Sequence, residues 1–162
     1  FVSRYREITK NNDIVLEEID DSAQLHEAVS LLQEDLHKRP FDCKVIVQSP
    51  GLSLRADENM LKQLVINLLK NSIEALKETQ SGNIQLSASE LDDQMVIKVE
   101  DNGPGIPSEH MDEIFTPFFS TREDGSGIGL SFSKHIIRLH GGTMSIWSDP
   151  EKGTTVTIRL QK

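Results

Sequence analysis

Asp101-Asn102-Gly103-Pro104-Gly105-Ile106 and, after an interval without periodicity, Gly125-Ser126-Gly127-Ile128-Gly129-Leu130 frame the most informative stretch of this chain. Just before it, Met95, Ile97 and Val99 alternate with Val96, Lys98 and Glu100, which predicts a strand with its first set facing inward. Just after it, a helix is predicted from about Ile128 to Leu139, stopped by Gly141-Gly142. Asp101 therefore sits where a strand gives way to a sharp turn, with glycines where a ligand or another backbone can come close. A carboxylate there can accept a hydrogen bond from an exocyclic amine, although taken alone the segment reads as an ordinary Asp-Asn-Gly-Pro turn. The second cluster puts glycines before a helix N-terminus, whose free N–H groups and positive dipole end form a phosphate cradle. It lacks the Lys-Ser/Thr of a P-loop and has no dinucleotide-type strand before it, which argues against a Rossmann site.

Between the clusters, Phe115-Thr116-Pro117-Phe118-Phe119 holds three of the six phenylalanines. Aromatics in a polar loop point to a segment that docks and releases; a satellite hydrophobic cluster beneath a loop is the competing account. Long aperiodic segments inside compact domains are usually functional or disordered.

Upstream, Asp57 begins the strongest helical pattern, with Leu61, Leu64, Val65, Leu68, Leu69, Ile73 and Leu76 in period through about Glu78. Asn67, Asn71 and Glu74 fall at i, i+4 and i+7 of that helix, on one side of it. Asparagines at the margin of a buried face need partners. Neighbouring backbone can satisfy them, or their oxygens can serve a hard cation such as Mg²⁺. Asp21-Ser22 offers N-cap chemistry for an earlier helix through Leu25, Val29, Leu32 and Leu36, ending near Lys38-Arg39-Pro40. Cys43, Val45 and Val47, then Leu52, Leu54 and Ala56, alternate around Pro50-Gly51, which predicts a hairpin. Further strands are expected near Asn83–Ser89, Thr143–Trp147 and Thr154–Leu160. Together these elements predict an α/β fold with a helix layer on one face of a mixed sheet. Phe1 to Asn12 is polar and basic and reads as a helix tail, a linker or a disordered end.

The 162 residues suit one domain; hydrophobic residues are 36% and charged residues 27%, a globular balance. No apolar run approaches the roughly 20 residues of a membrane span. A net charge of −9 disfavours nucleic acid or an anionic membrane as a partner. The single cysteine, Cys43, excludes an internal disulfide and a cysteine-rich metal site. There is no signal-peptide pattern, and a start at Phe1 rather than Met is expected of a piece of something longer.

In this order, the asparagine-bearing helix, Asp-x-Gly-x-Gly, Phe-x-Pro-Phe-Phe, Gly-x-Gly-x-Gly and the last Gly-Thr-Thr strand resemble the catalytic ATP-binding domain of two-component sensor histidine kinases. That domain belongs to the superfamily of gyrase B, Hsp90 and the mismatch-repair ATPases. The resemblance covers roughly Asp21 to Lys162. It implies a two-layer α/β sandwich, the Bergerat ATP-binding fold, with a mixed sheet of about five strands, three helices on one face and a long ATP lid from Gly103 to Ser126. Residues 13–162 would form the catalytic domain, with 1–12 as linker or tail of the phosphoacceptor helix, which Phe1-Val2-Ser3-Arg4-Tyr5-Arg6 resembles.

Carried over by position, the resemblance makes Asn71 the Mg²⁺ ligand and sets Asn67 beside the phosphates of ATP. Asp101 would accept the adenine amino group. Gly103, Gly105 and Ile106 would lie along the base, and Thr154 would reach it through hydroxyl or water. Ser126, Gly127, Ile128, Gly129 and Leu130 match the phosphate-contacting segment. Arg122, the lone cation between the phenylalanine and glycine motifs, is the candidate for a γ-phosphate contact. Asn67, Asn71 and Arg122 are thus the catalytic candidates.

Two departures matter. Many members carry a basic residue and then Tyr three and four positions after the metal-binding Asn, where this chain has Glu74 and Ala75. The pattern resembles the nitrogen-regulation subclass, whose lids are short; Glu74 is left either beside the metal's water or in solvent. Gyrase-like ATPases place a Glu where Asn67 stands, and an amide cannot act as that general base. Phosphoryl transfer to a protein acceptor therefore fits better than hydrolysis. The family's acceptor is a His-Glu-x-x-x-Pro histidine on a dimerisation hairpin, and none of His26, His37, His110, His135 and His140 fits it; His26-Glu27 lacks the proline, having Leu31. His140-Gly141-Gly142 looks like a helix-ending pattern. The expected partners are that hairpin and a response regulator, with a monomeric fragment and a homodimeric parent. The expected place is a cytoplasmic domain of a parent anchored in the bacterial inner membrane. An ATPase, an anti-sigma-type Ser/Thr kinase and a non-catalytic nucleotide sensor are the alternatives.

Overall fold

The computed structural model describes residues 14–37, 41–48, 53–121 and 125–162. In chain order the elements are β1 (Glu17–Asp20), α1 (Asp21–Ser30), α2 (Gln33–His37), β2 (Phe41–Val47), β3 (Ser53–Ala56) and α3 (Glu58–Ala75). There follow β4 (Gly82–Leu91), β5 (Gln94–Asp101), a 3₁₀ turn (Ser108–His110), α4 (Gly129–Leu139), β6 (Thr143–Asp149) and β7 (Gly153–Gln161). The reading of residues 1–12 as a tail or linker lies outside the described residues.

Asp57 starts α3 by accepting from the Met60 N–H at 3.0 Å, which satisfies one of the helix's first free donors. The helix buries Leu61, Leu64, Val65, Leu68, Leu69 and Ile73, the stripe its spacing predicts, and its last helical residue is Ala75 rather than Glu78. The earlier helix is broken where one continuous helix is expected. Leu32 N–H bonds the Val29 carbonyl, a one-turn tightening between α1 and α2 that keeps both Leu32 and Leu36 in the core. Its cap is Asp20, which accepts from Ala23 N–H at 3.2 Å, one residue before the expected Asp21-Ser22.

The main sheet has five strands in the order β2-β4-β5-β7-β6. β2 runs parallel to β4, and the other neighbours are antiparallel, so the sheet is mixed as expected. Register brings Leu86, Val99 and Val156 into one row and Ala88, Ile97 and Ile158 into the next. All six lie in the core with residues of α1, α3 and α4, so the helices cover one face of the sheet. The other face is largely polar. Val96, expected to point outward with Lys98 and Glu100, is nevertheless only 4% exposed. It lies on the central strand between Ser89 and Arg159, where neighbours on both sides shield it.

The hairpin expected across Pro50-Gly51 does not form. β2 pairs with β4, Val45 opposite Leu86, while β3 pairs antiparallel with β1, Leu54 opposite Ile19, in a separate two-stranded sheet. Alternation identifies a strand but not its partner, and β1 had no recognised pattern to compete for β3. The turn itself lies outside the described residues. Consecutive strands do pair at β4–β5, through Asp92 and Asp93 at φ 52° and 59°, and at β6–β7.

Candidate active site

One cleft, with a volume of about 250 Å³, opens between α3, the C-terminal end of β5, residues 105–121 and 125–127, and the start of α4. Asn67, Asn71, Asp101, Gly105, Ile106, Ser126, Gly127, Gly129, Leu130 and Thr154 all line it. Gly103 and Ile128 stand behind the wall. A Cβ on Gly103 would meet Asp101 Oδ1 at 2.9 Å, and Ile128 is a core residue, 1% exposed. Arg122 lies outside the described residues.

Asp101 is held in a fixed orientation. Its Oδ2 accepts from the Ser72 hydroxyl at 2.8 Å and its Oδ1 from the Gly103 N–H at 3.0 Å. Across the ladder, Asp101 faces Thr154. Ser148 ties this end together. Its Oγ accepts from Ile106 N–H at 2.8 Å, donates to the Gly153 carbonyl at 3.3 Å and shares a hydrogen bond with Thr154 Oγ1 at 3.0 Å. Gly105, at φ +70°, passes so close to the β6–β7 turn that a Cβ would sit 2.6 Å from the Asp149 carbonyl oxygen. Ile146 and Val156 add an apolar floor. A fixed carboxylate, a hydroxyl and an apolar floor thus meet at this end of the cleft.

The other end is polar. Asn67 is 4% exposed; its Oδ1 accepts from Gln63 Nε2 at 3.3 Å, while its Nδ2 is buried with no hydrogen-bond partner among the described residues. Buried donors are nearly always paired, so this one points to a ligand. Asn71 faces the first turn of α4: a Cβ on Gly129 would lie 3.9 Å from its Oδ1 and Nδ2. The N-terminus of α4 has no side-chain cap, which leaves its first N–H groups for an anion. Among the described residues no cluster of His, Cys, Asp or Glu could by itself hold a metal ion.

The loop over the cleft packs on the body of the fold. Phe118, at φ +69°, bonds through its N–H to the Gly127 carbonyl at 2.9 Å. Gly127, at φ +63°, could carry no Cβ, which would lie 2.4 Å from the Phe118 carbonyl carbon. Lys134 Nζ lies 4.2 Å from the Phe115 ring centroid, and the Phe119 ring packs on His110 at 5.5 Å. Phe118 alone of the three is largely exposed, at 67%. The motif therefore combines a packed cluster with one projecting ring.

Glu74 faces solvent and pairs with Lys77, away from the cleft, whereas Ala75 lines it. His140 is structural. Its Nε2 accepts from Asp57 N–H at 3.0 Å, and its Nδ1 bonds the Ile136 carbonyl at 2.8 Å. Gly141 and Gly142 N–H groups then close the end of α4 on Arg138 and Ile137. Sequence reasoning missed Lys70, Ser72, His110 and Ser148. Ser72 carried a usable signal, a hydroxyl next to Asn71 on an otherwise apolar stripe; Ser148 carried none.

The family described as histidine kinase-, DNA gyrase B-, and HSP90-like ATPase matches residues 56–162. The sensor histidine kinase ZraS of Escherichia coli strain K12 is 33% identical over 98% of this chain and 34% of its own length. The chain thus spans about a third of that relative. Among solved structures, the catalytic domain of histidine kinase ThkA superposes with a TM-score of 0.82 at 31% identity, covering 91% of this chain and 95% of that one. Histidine kinase ThkA in complex with the response regulator protein TrrA gives 0.80 at 27% identity, over 98% of this chain and 45% of that one.

Proposed function

The chain belongs to the histidine kinase-, DNA gyrase B-, and HSP90-like ATPase family, and from that membership we propose that it is the catalytic part of a protein-histidine kinase. It binds ATP and passes the γ-phosphoryl group to a histidine on a dimerisation hairpin. One observation carries this reading: a carboxylate anchored by Ser72 and Gly103 in the same cleft as the Asn67 Nδ2, buried without a partner among the described residues, and as the uncapped N-terminus of α4.

In this reading Asp101 accepts from the adenine amino group, Thr154 approaches the same edge, and Gly105 and Ile106 border the base. Asn71 holds Mg²⁺ through its amide oxygen; bound there, the cation neutralises phosphate charge. Gly127, Gly129 and the following N–H groups receive phosphate oxygens, Asn67 donates to one, and Arg122 approaches the γ-phosphate. Asn67 cannot take a proton from water, so hydrolysis stays slow and the protein acceptor is favoured. Residues 13–162 form the catalytic unit, and residues 1–12 the linker or helix tail before it. A response regulator receives the phosphoryl group next, a step supported by the ThkA–TrrA complex. The unit works in the cytoplasm, monomeric alone and within a homodimeric, membrane-anchored parent.

Labelled ATP, with and without a separately made hairpin bearing the parent's His-Glu-x-x-x-Pro motif, tests the reading. Alone, the chain should bind Mg-ATP, turn it over very slowly and take up no acid-labile label. With the hairpin it should label that histidine weakly, because cutting the linker removes its millimolar-scale effective concentration. Fast turnover without acceptor would favour an ATPase instead.

A further inference from the structure

A triphosphate is a multiply charged anion, and this chain carries a net charge of −9. Helix N-terminal N–H groups offset part of that repulsion, but they act within about a turn. Among the described residues lining the cleft, the one fixed cation is Lys70.

Its place on α3 is specific. Lys70 lies three residues after Asn67 and one before Asn71, so it neighbours Asn67 on the helix surface. Helical side chains lean toward the N-terminus, which carries the Lys70 ammonium toward the level of Asn67. Asp101 is bonded to Ser72, further along the helix in the opposite sense. Lys70 therefore stands at the end of the cleft away from the carboxylate. Ser120, Thr121, Gly125 and Ser126 line the same cleft.

Nearby carboxylates are engaged elsewhere. Glu74, four residues on, is taken by Lys77, and Lys-before-Glu is the weaker order for such a pair. Glu27 and Glu58 are taken by Lys62, at 2.9 and 3.5 Å. Among the described residues no ion pair draws the Lys70 side chain away from the cleft. It is exposed, so its charge costs nothing to keep in solvent and is free to meet a ligand.

We propose that Lys70 contacts the terminal phosphate of bound ATP and makes the site prefer ATP to ADP. The contact rests on the ATP-binding reading above and adds a residue to it. The unmodified chain, Lys70→Ala, Lys70→Gln and Lys70→Arg are each titrated calorimetrically with ATP, ADP and AMP in the presence of Mg²⁺. Circular dichroism checks that each variant is folded. Removing the charge should weaken ATP roughly tenfold, the scale of a lost charge-assisted contact, while ADP and AMP change less than about twofold. Lys70→Arg should restore most of the ATP affinity.

Unchanged ATP affinity in Lys70→Ala and Lys70→Gln overturns the contact and leaves the ATP-binding reading standing. An equal loss for ATP and ADP also overturns it, since the charge would then act on an inner phosphate. Failure of the unmodified chain to bind any of the three overturns the ATP-binding reading itself, and Lys70 with it.

Discussion

The hydroxyl of Ser72, on α3, donates a hydrogen bond to Oδ2 of Asp101, at the end of β5, at 2.8 Å. It joins the helix layer to the sheet in the lining of the cleft, and Gly103 N–H holds the other carboxylate oxygen at 3.0 Å. The carboxylate thus meets a ligand already oriented. Ser72→Ala removes one donor from a half-buried charge, which costs about 1–3 kcal/mol and should lower the melting temperature. ATP and AMP should weaken together, because the loss falls at the base end. Titration of both nucleotides measures it, and undiminished affinity would show that Ser72 does not set the orientation.

Guanine bears a carbonyl where adenine bears the amino group, so an acceptor such as Asp101 should reject it. An unpaired buried polar group costs about 1–3 kcal/mol, which means ATP should exceed GTP by roughly 5- to 150-fold. Asp101→Asn should lose most of that preference. Competition of the two nucleotides for the unmodified chain reads the ratio, and equal binding removes Asp101 from the role.

Asn71→Ala should abolish the Mg²⁺-dependent part of ATP affinity while the melting temperature without nucleotide stays close to that of the unmodified chain. Titrations with Mg²⁺ and with a chelator separate the metal-dependent part. If Asn71→Ala and the unmodified chain respond to Mg²⁺ alike, the ligand is another residue.

Lys62 bridges α1 and α3 through Glu27, with Glu58 on its own helix, and its side chain is 18% exposed. The hydrogen bond that Lys62 donates to the Glu27 carboxylate, more than any other cause, raises its pKa above the usual 10.5. Because the folded value lies above the unfolded one, the stabilisation is complete below pH 10.5 and is lost as pH climbs through the folded value. Lys62→Met should cost about 0.5–1 kcal/mol at neutral pH. Denaturant unfolding across the alkaline range should show the gap to the unmodified chain closing only above that point; a gap closed well below it contradicts the assignment.

His140 links the end of α4 to the start of α3 by accepting from Asp57 N–H. His140→Ala leaves that donor without its acceptor, at about 1–3 kcal/mol, and should lower the melting temperature without changing the ratio of ATP to GTP affinity. A changed ratio would give His140 a part in the cleft.

Much of the architecture was legible because hydrophobic period is a local property. The α3 stripe, the β5 alternation and the glycine stop after α4 each follow from side chains within a few residues of one another. Pairing is not local. Cys43–Val47 and Leu52–Ala56 read equally well as a hairpin, and only the burial of Leu54 against β1 and of the β2 face beside β4 separated them. The break between α1 and α2 likewise depends on where the sheet needs Leu32 and Leu36.

The residue types of the candidate site could be read directly, because Asn, Asp and Gly in an apolar or turning context each carry a conformational or hydrogen-bonding cost that asks for an explanation. From the sequence came the order of the motifs, the asparagines on α3, the aspartate at a strand end and the absence of a carboxylate at position 67. The folded chain decided which of them share a cleft. It set Gly103 and Ile128 behind the wall, turned Glu74 to Lys77 and solvent, and brought Ser72, Ser148 and Lys70 to positions no motif announced. The reason is distance along the chain: Ser72 meets Asp101 across 29 residues and Ser148 meets Ile106 across 42, and closures of that length are set by the packing of whole layers rather than by neighbouring side chains.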